Sequence, residues 1–335
     1  MSATQRRLPL SLLSMFAGAV VASILWLHAG ETLAQGYPNR PIRLIVGFPP
    51  GGAVDTLARI ISTRMSDTMG QPVVVENRPG AAGNLATDLV AKAPSDGYII
   101  LLTTIGHAIA PSLTRKLPFD AVADFTPVTQ LIASSMVLVV SAKVPATSLK
   151  EFIVLAKSKP GGLNYGSAGA GDPLGLAMEL LKLSANIDIV PIQYKGVGPV
   201  FAALLAGEVD AAFMPTSTSL GYLKASTLRA LAMGGLQRSP ALPDVPTVAE
   251  SGFPGFDSTN WQGLFVPVKT PPDVVKSIQR EAAKVLSMPE VRDRLIAAGQ
   301  EPVGSTPQEF EAKVNADVAK FARIIRDARV PVQDY

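Results

Sequence analysis

The sequence contains no cysteine and only two histidines, His28 and His107. Without cysteine the chain has no disulfide scaffold, no thiolate nucleophile, no zinc-finger site and no cysteine-linked lipid anchor. Two histidines leave almost nothing from which to build a multi-histidine metal site or a Ser-His-Asp enzyme. We therefore expect no catalytic residue, no metal site and no cofactor.

Charged residues are also scarce, at 17% of the chain, whereas hydrophobic residues make up 47%. This balance excludes a disordered protein and a protein that coats nucleic acid, and it supplies ample material for a buried core. The 30 basic and 27 acidic residues leave a net charge of +3, which is a small excess rather than a basic patch. At roughly 150 residues per domain, 335 residues allow about two domains.

The first residues have the features of an export signal. Arg6 and Arg7 precede an uncharged run over residues 8–27, and small residues follow as far as Ala34. A basic start, an apolar middle and a small-x-small end predict a secretory signal peptide over residues 1–34, so the mature protein is expected to be exported. The apolar run is about 20 residues long, so an uncleaved membrane anchor is the alternative interpretation.

Strand-like and helix-like segments alternate through the rest of the chain. Helical spacing appears over residues 55–69, 149–157, 174–183 and 199–206. Such alternation predicts βα units around parallel sheets, and the nearly continuous Val, Ile and Leu content indicates strands covered on both faces. The candidate strands are residues 42–46, 73–75, 98–102, 136–140, 189–193, 209–213, 228–233 and 263–266.

The last third of the chain predicts a long helix with a defined start. Thr306 begins the sequence Thr-Pro-Gln-Glu, a capping box with proline at the first helical position. Before it, an extended stretch over residues 126–140 and a proline- and glycine-rich loop over residues 243–256 suggest two crossings between domains. The first domain would then be discontinuous, with the second inserted into it.

Four glycine-rich turns carry the only concentrated chemistry. They cover residues 48–55, 77–83, 103–107 and 165–172, and most follow an apolar strand. A helix start presents free N–H groups to a carboxylate or a phosphate, and glycine lets a ligand approach the backbone closely. The alternative is that these are ordinary tight turns. The residues around Ser167 do not form a GxSxG elbow, and the first turn matches neither GxGxxG nor GxxxxGK[ST].

These segments together resemble the Bug family, the TctC-type receptors of tripartite tricarboxylate transporters. The resemblance runs from about Tyr37 to the C-terminus. Its motifs are YPNRPIR at residues 37–43, PGG at 50–52 with Asp55, VENRPGA at 75–81, YGSAG at 165–169, YKG at 194–196 and SPALPDVPT at 239–247.

The resemblance implies an α/β protein of the type II periplasmic-binding-protein fold, with two α/β domains, a two-strand hinge and a ligand cleft. Domain 1 would comprise residues 35–138 and 260–335, and domain 2 residues 139–259. The family implies capture of a small carboxylated solute by Venus-flytrap closure. The implied ligand-binding residues are Phe48, Pro50, Gly51, Gly52, Ala53, Thr104, His107, Ser167, Ala168, Gly169, Asp172, Thr216 and Ser217.

The chain departs from the family pattern in two places. Many relatives place a polar residue and then a histidine after the GSAG turn, where this chain reads Gly171-Asp172-Pro173-Leu174-Gly175. Relatives also often have Asp-Asn after the later strand, where this chain has Met214-Pro215-Thr216. An aspartate in that wall would disfavour a second ligand carboxylate nearby.

The resemblance implies a periplasmic, monomeric receptor that delivers a small organic acid to TctA/TctB-like membrane subunits or to a signalling partner, with no nucleic acid partner. A secreted enzyme on the same framework is the alternative function, and it lacks a nucleophile–base pair. A structural or adhesion protein is a third, and it would not explain the four turns.

Overall fold

The structure is a computed structural model that describes residues 36–169 and 171–334. Internal contacts separate residues 1–39, of which 36–39 are described, from a compact unit of residues 40–335. In the first unit the Tyr37–Pro38 peptide bond is cis. Every element below belongs to the second unit. The signal peptide predicted for residues 1–34 lies outside the described residues and stays a prediction.

The strands reproduce the apolar runs of the sequence. All eight predicted strands are strands in the structure, and two of them, residues 42–46 and 228–233, have the predicted bounds. The strands are β1 Ile42–Val46, β2 Val73–Asn77, β3 Ile99–Thr104, β4 Thr114–Arg115, β5 Phe125–Ser134, β6 Met136–Ser141, β7 Asn164–Ser167, β8 Val190–Gln193, β9 Ala211–Pro215, β10 Leu228–Met233, β11 Asn260–Pro267, β12 Glu301–Pro302 and β13 Gln333–Asp334.

The four helices predicted from helical spacing are also present, each within two residues of its predicted bounds. The helices are α1 Ala53–Met69, α2 Asn84–Ala91, α3 Gly106–Leu113, α4 Leu149–Ser158, α5 Pro173–Ala185, α6 Val197–Ala206, α7 Thr216–Lys224, α8 Pro272–Ser287, α9 Pro289–Ala297 and α10 Pro307–Asp327. None of the helices in the described part of the chain is long and apolar enough to cross a membrane.

Two sheets organise the fold. The first has the strand order β12-β5-β11-β3-β1-β2, and the second has the order β10-β6-β9-β7-β8. Strand β1 pairs in parallel with β2 and β3, and β7 pairs in parallel with β8 and β9. The ends of β1, β2, β3 and β7 therefore place the four glycine-rich turns at the carboxyl edges of parallel strands, where open α/β sheets bind ligands. We call the elements around the first sheet lobe 1 and those around the second sheet lobe 2.

The chain passes between the sheets twice. It leaves the first sheet after β5, enters the second at β6, and returns between β10 and β11. Strand β6 of the second sheet already begins at Met136. The domain boundaries at residues 138 and 259 stay a prediction.

The capping box at the start of α10 is confirmed. The Thr306 hydroxyl oxygen accepts a hydrogen bond from the Glu309 N–H, and the Glu309 carboxylate accepts one from the Thr306 N–H. The apolar stripe of this helix is buried, beginning at Phe310. Helix α10 packs against α3 and β5 of lobe 1 and against α5 of lobe 2. It is therefore an additional element that contacts both lobes.

Candidate functional site

A cavity of about 430 Å³ lies where the turns of the two lobes face each other. Its volume is in the range that suits a small-molecule ligand. Lobe 1 contributes Phe48 after β1, the turn after β2, Thr104 at the end of β3 and Gly106 just beyond it. Lobe 2 contributes the turn after β7. Ala81 and Ala82 belong to the glycine-rich turn over residues 77–83, which the sequence analysis singles out but does not include among the ligand-binding residues, and Asn84 follows directly after it.

The turn after β2 has an unusual backbone. Ala81 and Ala82 have φ angles of 46° and 55°, a left-handed conformation that alanine rarely adopts, and both line the cavity. Glycine flanks them at positions 80 and 83, also with positive φ. Strained residues of this kind persist where the surrounding structure holds them, and they cluster at ligand sites. The backbone N–H groups of Ala81 and Ala82 have no acceptor among the described residues.

Asn84, at the start of α2, is the second unsatisfied group of this turn. Its residue is about nine-tenths buried, it lines the cavity, and its side chain has no hydrogen-bond partner within the described chain. Its side-chain oxygen and nitrogen are not fully buried, so a ligand in the cavity can reach them. This side chain is therefore a candidate for binding a ligand.

The turn after β1 is held by a buried carboxylate. Asp55 accepts hydrogen bonds from the Gly51 N–H at 2.9 Å, from the Arg59 guanidinium at 2.9 Å and from the Asn77 carboxamide at 2.9 Å. The hydrogen bond from Arg59 is the main reason that the pKa of Asp55 falls to about 2, against the opposing effect of burial. The predicted contacts Pro50, Gly51, Gly52 and Ala53 lie beside Phe48, outside the residues that line the cavity.

His107 lies in the hydrophobic core rather than in the cavity wall. It is 3% exposed and packs against Phe119, Phe125 and Phe265, and its Nε2 donates to the carbonyl oxygen of Ala121 at 2.7 Å. Because a carbonyl only accepts, this hydrogen bond selects the tautomer with the proton on Nε2. Burial lowers the pKa of His107 to about 4. The geometry therefore does not support the expectation that His107 contacts the ligand.

In lobe 2, Asp172 occupies the helix start that the sequence suggested for a ligand. Its carboxylate accepts hydrogen bonds from the Ser167 hydroxyl at 2.7 Å, the Ala168 N–H at 3.1 Å, and the Leu174 and Gly175 N–H groups of α5 at 2.9 and 3.3 Å. Burial raises the pKa of Asp172, against the opposing effect of these hydrogen bonds. The start of α5 is thus capped by the chain's own anion.

The remaining predicted contacts of lobe 2 divide into two groups. Ala168, Gly169 and Asp172 line the cavity, whereas Ser167 does not. Thr216 and Ser217 begin α7 at the crossing between the lobes. The Thr216 hydroxyl and N–H both donate to the carbonyl oxygen of Ser135, at 2.8 and 3.1 Å, and neither residue lines the cavity.

Part of the cavity wall comes from residues with no motif. These are Ile109, Ala110, Leu113, Thr114, Pro173, Gln333 and Asp334, whereas Gly171 belongs to the glycine-rich turn over residues 165–172. Among the residues that the structure describes, the lining contains no lysine, arginine or histidine, and its charged side chains are Asp172 and Asp334. Within residues 36–169 and 171–334 no group of acidic or histidine side chains could hold a metal ion. The site is therefore suited to binding through backbone and neutral polar donors.

Two α/β lobes, two crossings and a cavity at the carboxyl edges of the strands define a type II periplasmic-binding protein. A sequence profile described as "Tripartite tricarboxylate transporter family receptor" matches residues 57–330. The chain therefore belongs to this family of solute-binding receptors, as the sequence motifs predicted, and the family gives no support to the enzyme alternative.

Individual relatives agree with this assignment. The chain is 35% identical to Protein BugT of Bordetella pertussis over 301 residues, covering 89% of this chain and 92% of that protein. The structure of R. palustris Rpa4515 with adipate is 33% identical, with a TM-score of 0.72, covering 89% of this chain and 100% of that one. The structure of MatC from Rhodopseudomonas palustris with bound malate is 32% identical, with a TM-score of 0.69, covering 86% and 100%.

Proposed function

We propose that this chain is a periplasmic receptor whose cavity captures a small organic acid. The single observation that carries the proposal is the set of unsatisfied donors on one side of the cavity. The N–H groups of Ala81 and Ala82, the Asn84 carboxamide and the Thr104 hydroxyl all belong to residues that line it. Adipate and malate, the ligands of the two similar structures, are both carboxylates.

Neutral donors are sufficient to hold a carboxylate. Hydrogen bonds to an ionised group are roughly twice as strong as neutral ones, and preorganised backbone dipoles stabilise the charge without a lysine or an arginine. The Asn84 side chain has no hydrogen-bond partner in the described chain, and the residue lines the cavity. A bound carboxylate would satisfy its donor.

The lobe 2 wall then faces the rest of the ligand. Ala168, Gly169 and Asp172 take this position in the proposal, and Phe48 covers the ligand from lobe 1. Contacts with both lobes would favour a closed arrangement, with the two crossings acting as the hinge between residues 35–138 plus 260–335 and residues 139–259. Contacts from Pro50, Gly51, Gly52, Ala53, Ser167, Thr216 and Ser217 stay predictions for the ligand-bound form.

The partners and the cellular location proposed for this receptor are those that its family implies. The receptor would be exported by a cleaved signal peptide, act as a monomer in the periplasm, and deliver its ligand to TctA/TctB-like membrane subunits. A signalling partner that recognises the closed form is the alternative recipient.

The test is a binding assay on refolded protein from which copurified ligand has been removed. Hexanoate, adipate and 6-aminohexanoate would be titrated by calorimetry, with the melting temperature recorded in parallel. We expect at least one acid to bind with saturation and to raise the melting temperature. Loss of one hydrogen bond to a charged group, about 1.5–3 kcal/mol, predicts a tenfold or greater loss of affinity in Asn84→Ala and in Thr104→Val.

Thr63→Val is the matched control for Thr104→Val, because the exposed Thr63 hydroxyl bonds only the Arg59 carbonyl on α1. It should leave affinity unchanged. The proposal fails if none of the acids binds, or if both cavity variants bind as tightly as the parent protein.

A further inference from the structure

The segment after α10 runs from one lobe to the other. We call residues 328–334 the strap. Ala328, Arg329, Val330 and Pro331 line a small cavity of about 180 Å³ with residues of lobe 2. The strap then ends in β13, which pairs in parallel with β4 of lobe 1. It therefore connects the second lobe to the first beside the ligand cavity.

The end of the strap forms part of the ligand cavity. Gln333 pairs with Thr114 and Asp334 with Arg115 in the β13–β4 ladder, and both strap residues line the cavity with Thr114 and the neighbouring Leu113. Across from Leu113 lies the Gly171 turn of lobe 2, close enough that a side chain at position 171 would meet Leu113. This side of the cavity is thus closed by the strap and by an interlobe contact.

The charge of the cavity is uneven. On one side lie the unsatisfied donors of lobe 1, including the nine-tenths buried Asn84. The charged side chains of the lining are Asp172, fixed by hydrogen bonds at the start of α5, and Asp334 on the strap. Arg115 approaches Asp334 at 3.9 Å, but it does not line the cavity. Within the described residues, the far part of the lining therefore holds two carboxylates and no cation.

We propose that the strap is part of the ligand site, and that Asp334 and Asp172 make it select acids whose far end is neutral or carries an amine over acids with a second carboxylate. The inference rests on the proposed function, because the first carboxylate must be held by the donors of lobe 1. A second carboxylate would then lie near two like charges, whereas an ammonium group would be attracted to them.

Three acids with the same six-carbon backbone separate the far-end chemistry from ligand length. These are adipate, hexanoate and 6-aminohexanoate, titrated by calorimetry into the ligand-free full chain. In the parent protein we expect 6-aminohexanoate and hexanoate each to bind at least about tenfold more tightly than adipate. Raising the salt concentration should narrow the difference between adipate and 6-aminohexanoate, because screening weakens the exposed part of the interaction.

The role of the strap is tested by changing only its charge. Asp334 is 87% exposed, so Asp334→Asn should narrow the ratio between 6-aminohexanoate and adipate by only about threefold, and Asp334→Lys should narrow it further. Asp327→Asn is the matched control, since Asp327 ends α10, pairs with Arg326 and does not line the cavity. It should leave the ratio unchanged.

The outcomes separate the two proposals. If none of the three acids binds, the proposed function fails and this inference fails with it. If the acids bind but adipate is held as tightly as 6-aminohexanoate, or if both Asp334 variants keep the parental ratio, the inference alone is overturned. The melting temperature of each variant shows whether a change in ratio reflects the site rather than a loss of folding.

Discussion

The indole Nε1 of Trp261 donates a hydrogen bond to the Asp317 carboxylate at 2.9 Å, inside the core of lobe 1. Trp261 is fully buried on β11, the strand on which the chain returns from lobe 2, and Asp317 lies on α10. Asp317 also pairs with Lys320 at 2.6 Å and with Lys313 at 3.5 Å. The return crossing and the helix that contacts both lobes are therefore tied together by a buried polar network.

Removing the carboxylate should destabilise the protein strongly. Asp317→Ala leaves the indole N–H without its acceptor and leaves Lys313 and Lys320 with only Asp257 as a partner among the described residues. Breaking a buried ion pair from one side costs about 3–5 kcal/mol. Asp317→Asn keeps an acceptor for Trp261 and should cost less. Urea unfolding followed by circular dichroism measures both. Asp327→Ala, at the exposed end of the same helix, should stay within about 0.5 kcal/mol of the parent protein, and equal effects at the two positions would contradict the argument.

His107 predicts a stability that depends on pH. Its pKa is about 4 in the folded protein, whereas an unfolded histidine titrates near 6.5. Between these values the unfolded state binds the extra proton, so stability falls as pH decreases from about 6.5 to 4. The shift of the pKa corresponds to roughly 3 kcal/mol over that window. Protonation would place a proton on Nδ1, which has no partner among the described residues.

The measurement compares His107→Gln with the parent protein at several pH values. Glutamine does not titrate in this window and retains a donor for the Ala121 carbonyl. Carboxylates titrate in both proteins and cancel in the difference between the two unfolding free energies. That difference should vary by roughly 3 kcal/mol between pH 7 and pH 4. Parallel curves would show that His107 keeps an ordinary pKa.

The sequence predicts the strands and helices better than it predicts the details of the candidate site. Strands such as β1 and helices such as α1 follow from local apolar patterns, so they are predicted well. The resemblance to the family predicts the turn after β7 as part of the wall, and Ala168, Gly169 and Asp172 line the cavity. The sequence does not show that Asp172 caps α5 with its own carboxylate, because glycine-rich composition alone leaves open which anion fills a helix start.

The features of the site that the sequence does not predict depend on long-range pairing or on strained backbone. Gln333 and Asp334 reach the cavity only through the β13–β4 pairing, which joins segments far apart in the chain. Ala81 and Ala82 adopt a backbone conformation that alanine seldom takes, so no propensity predicts it. The resemblance implies that His107 contacts the ligand, but its side chain packs in an aromatic cluster.

Gly171 should be sensitive to any side chain. It has a φ of 72°, and a Cβ there would clash with Cδ2 of Leu113 in the opposite lobe. Gly171→Ala therefore combines left-handed strain of about 1–2 kcal/mol with an interlobe clash. A double-mutant cycle with Leu113→Ala separates the two, because the second change removes the clash and leaves the strain.

The unfolding free energies of the parent protein, the two single variants and the double variant are measured by chemical denaturation. We expect a favourable coupling between Gly171→Ala and Leu113→Ala, of at least about 0.5 kcal/mol. Gly198→Ala, on α6 with open space around it, should be neutral or slightly stabilising. If the two changes in unfolding free energy are strictly additive, the Leu113 side chain moves aside at no cost and there is no steric clash between the lobes at this point.

Gly47 links the packing of lobe 1 to the proposed carboxylate site. A Cβ at position 47 would lie 2.7 Å from Cα and 2.9 Å from the carbonyl oxygen of Gly83, and both of these are backbone atoms that cannot rotate away. Gly47→Ala must therefore displace the turn that carries Ala81 and Ala82, with an overpacking cost of about 1–3 kcal/mol. Because binding needs those N–H groups in place, affinity for hexanoate should fall about tenfold or more.

The matched control is Gly221→Ala on α7, where a Cβ meets nothing within 4 Å. Unchanged hexanoate affinity in folded Gly47→Ala would show that the turn after β2 does not hold the carboxylate.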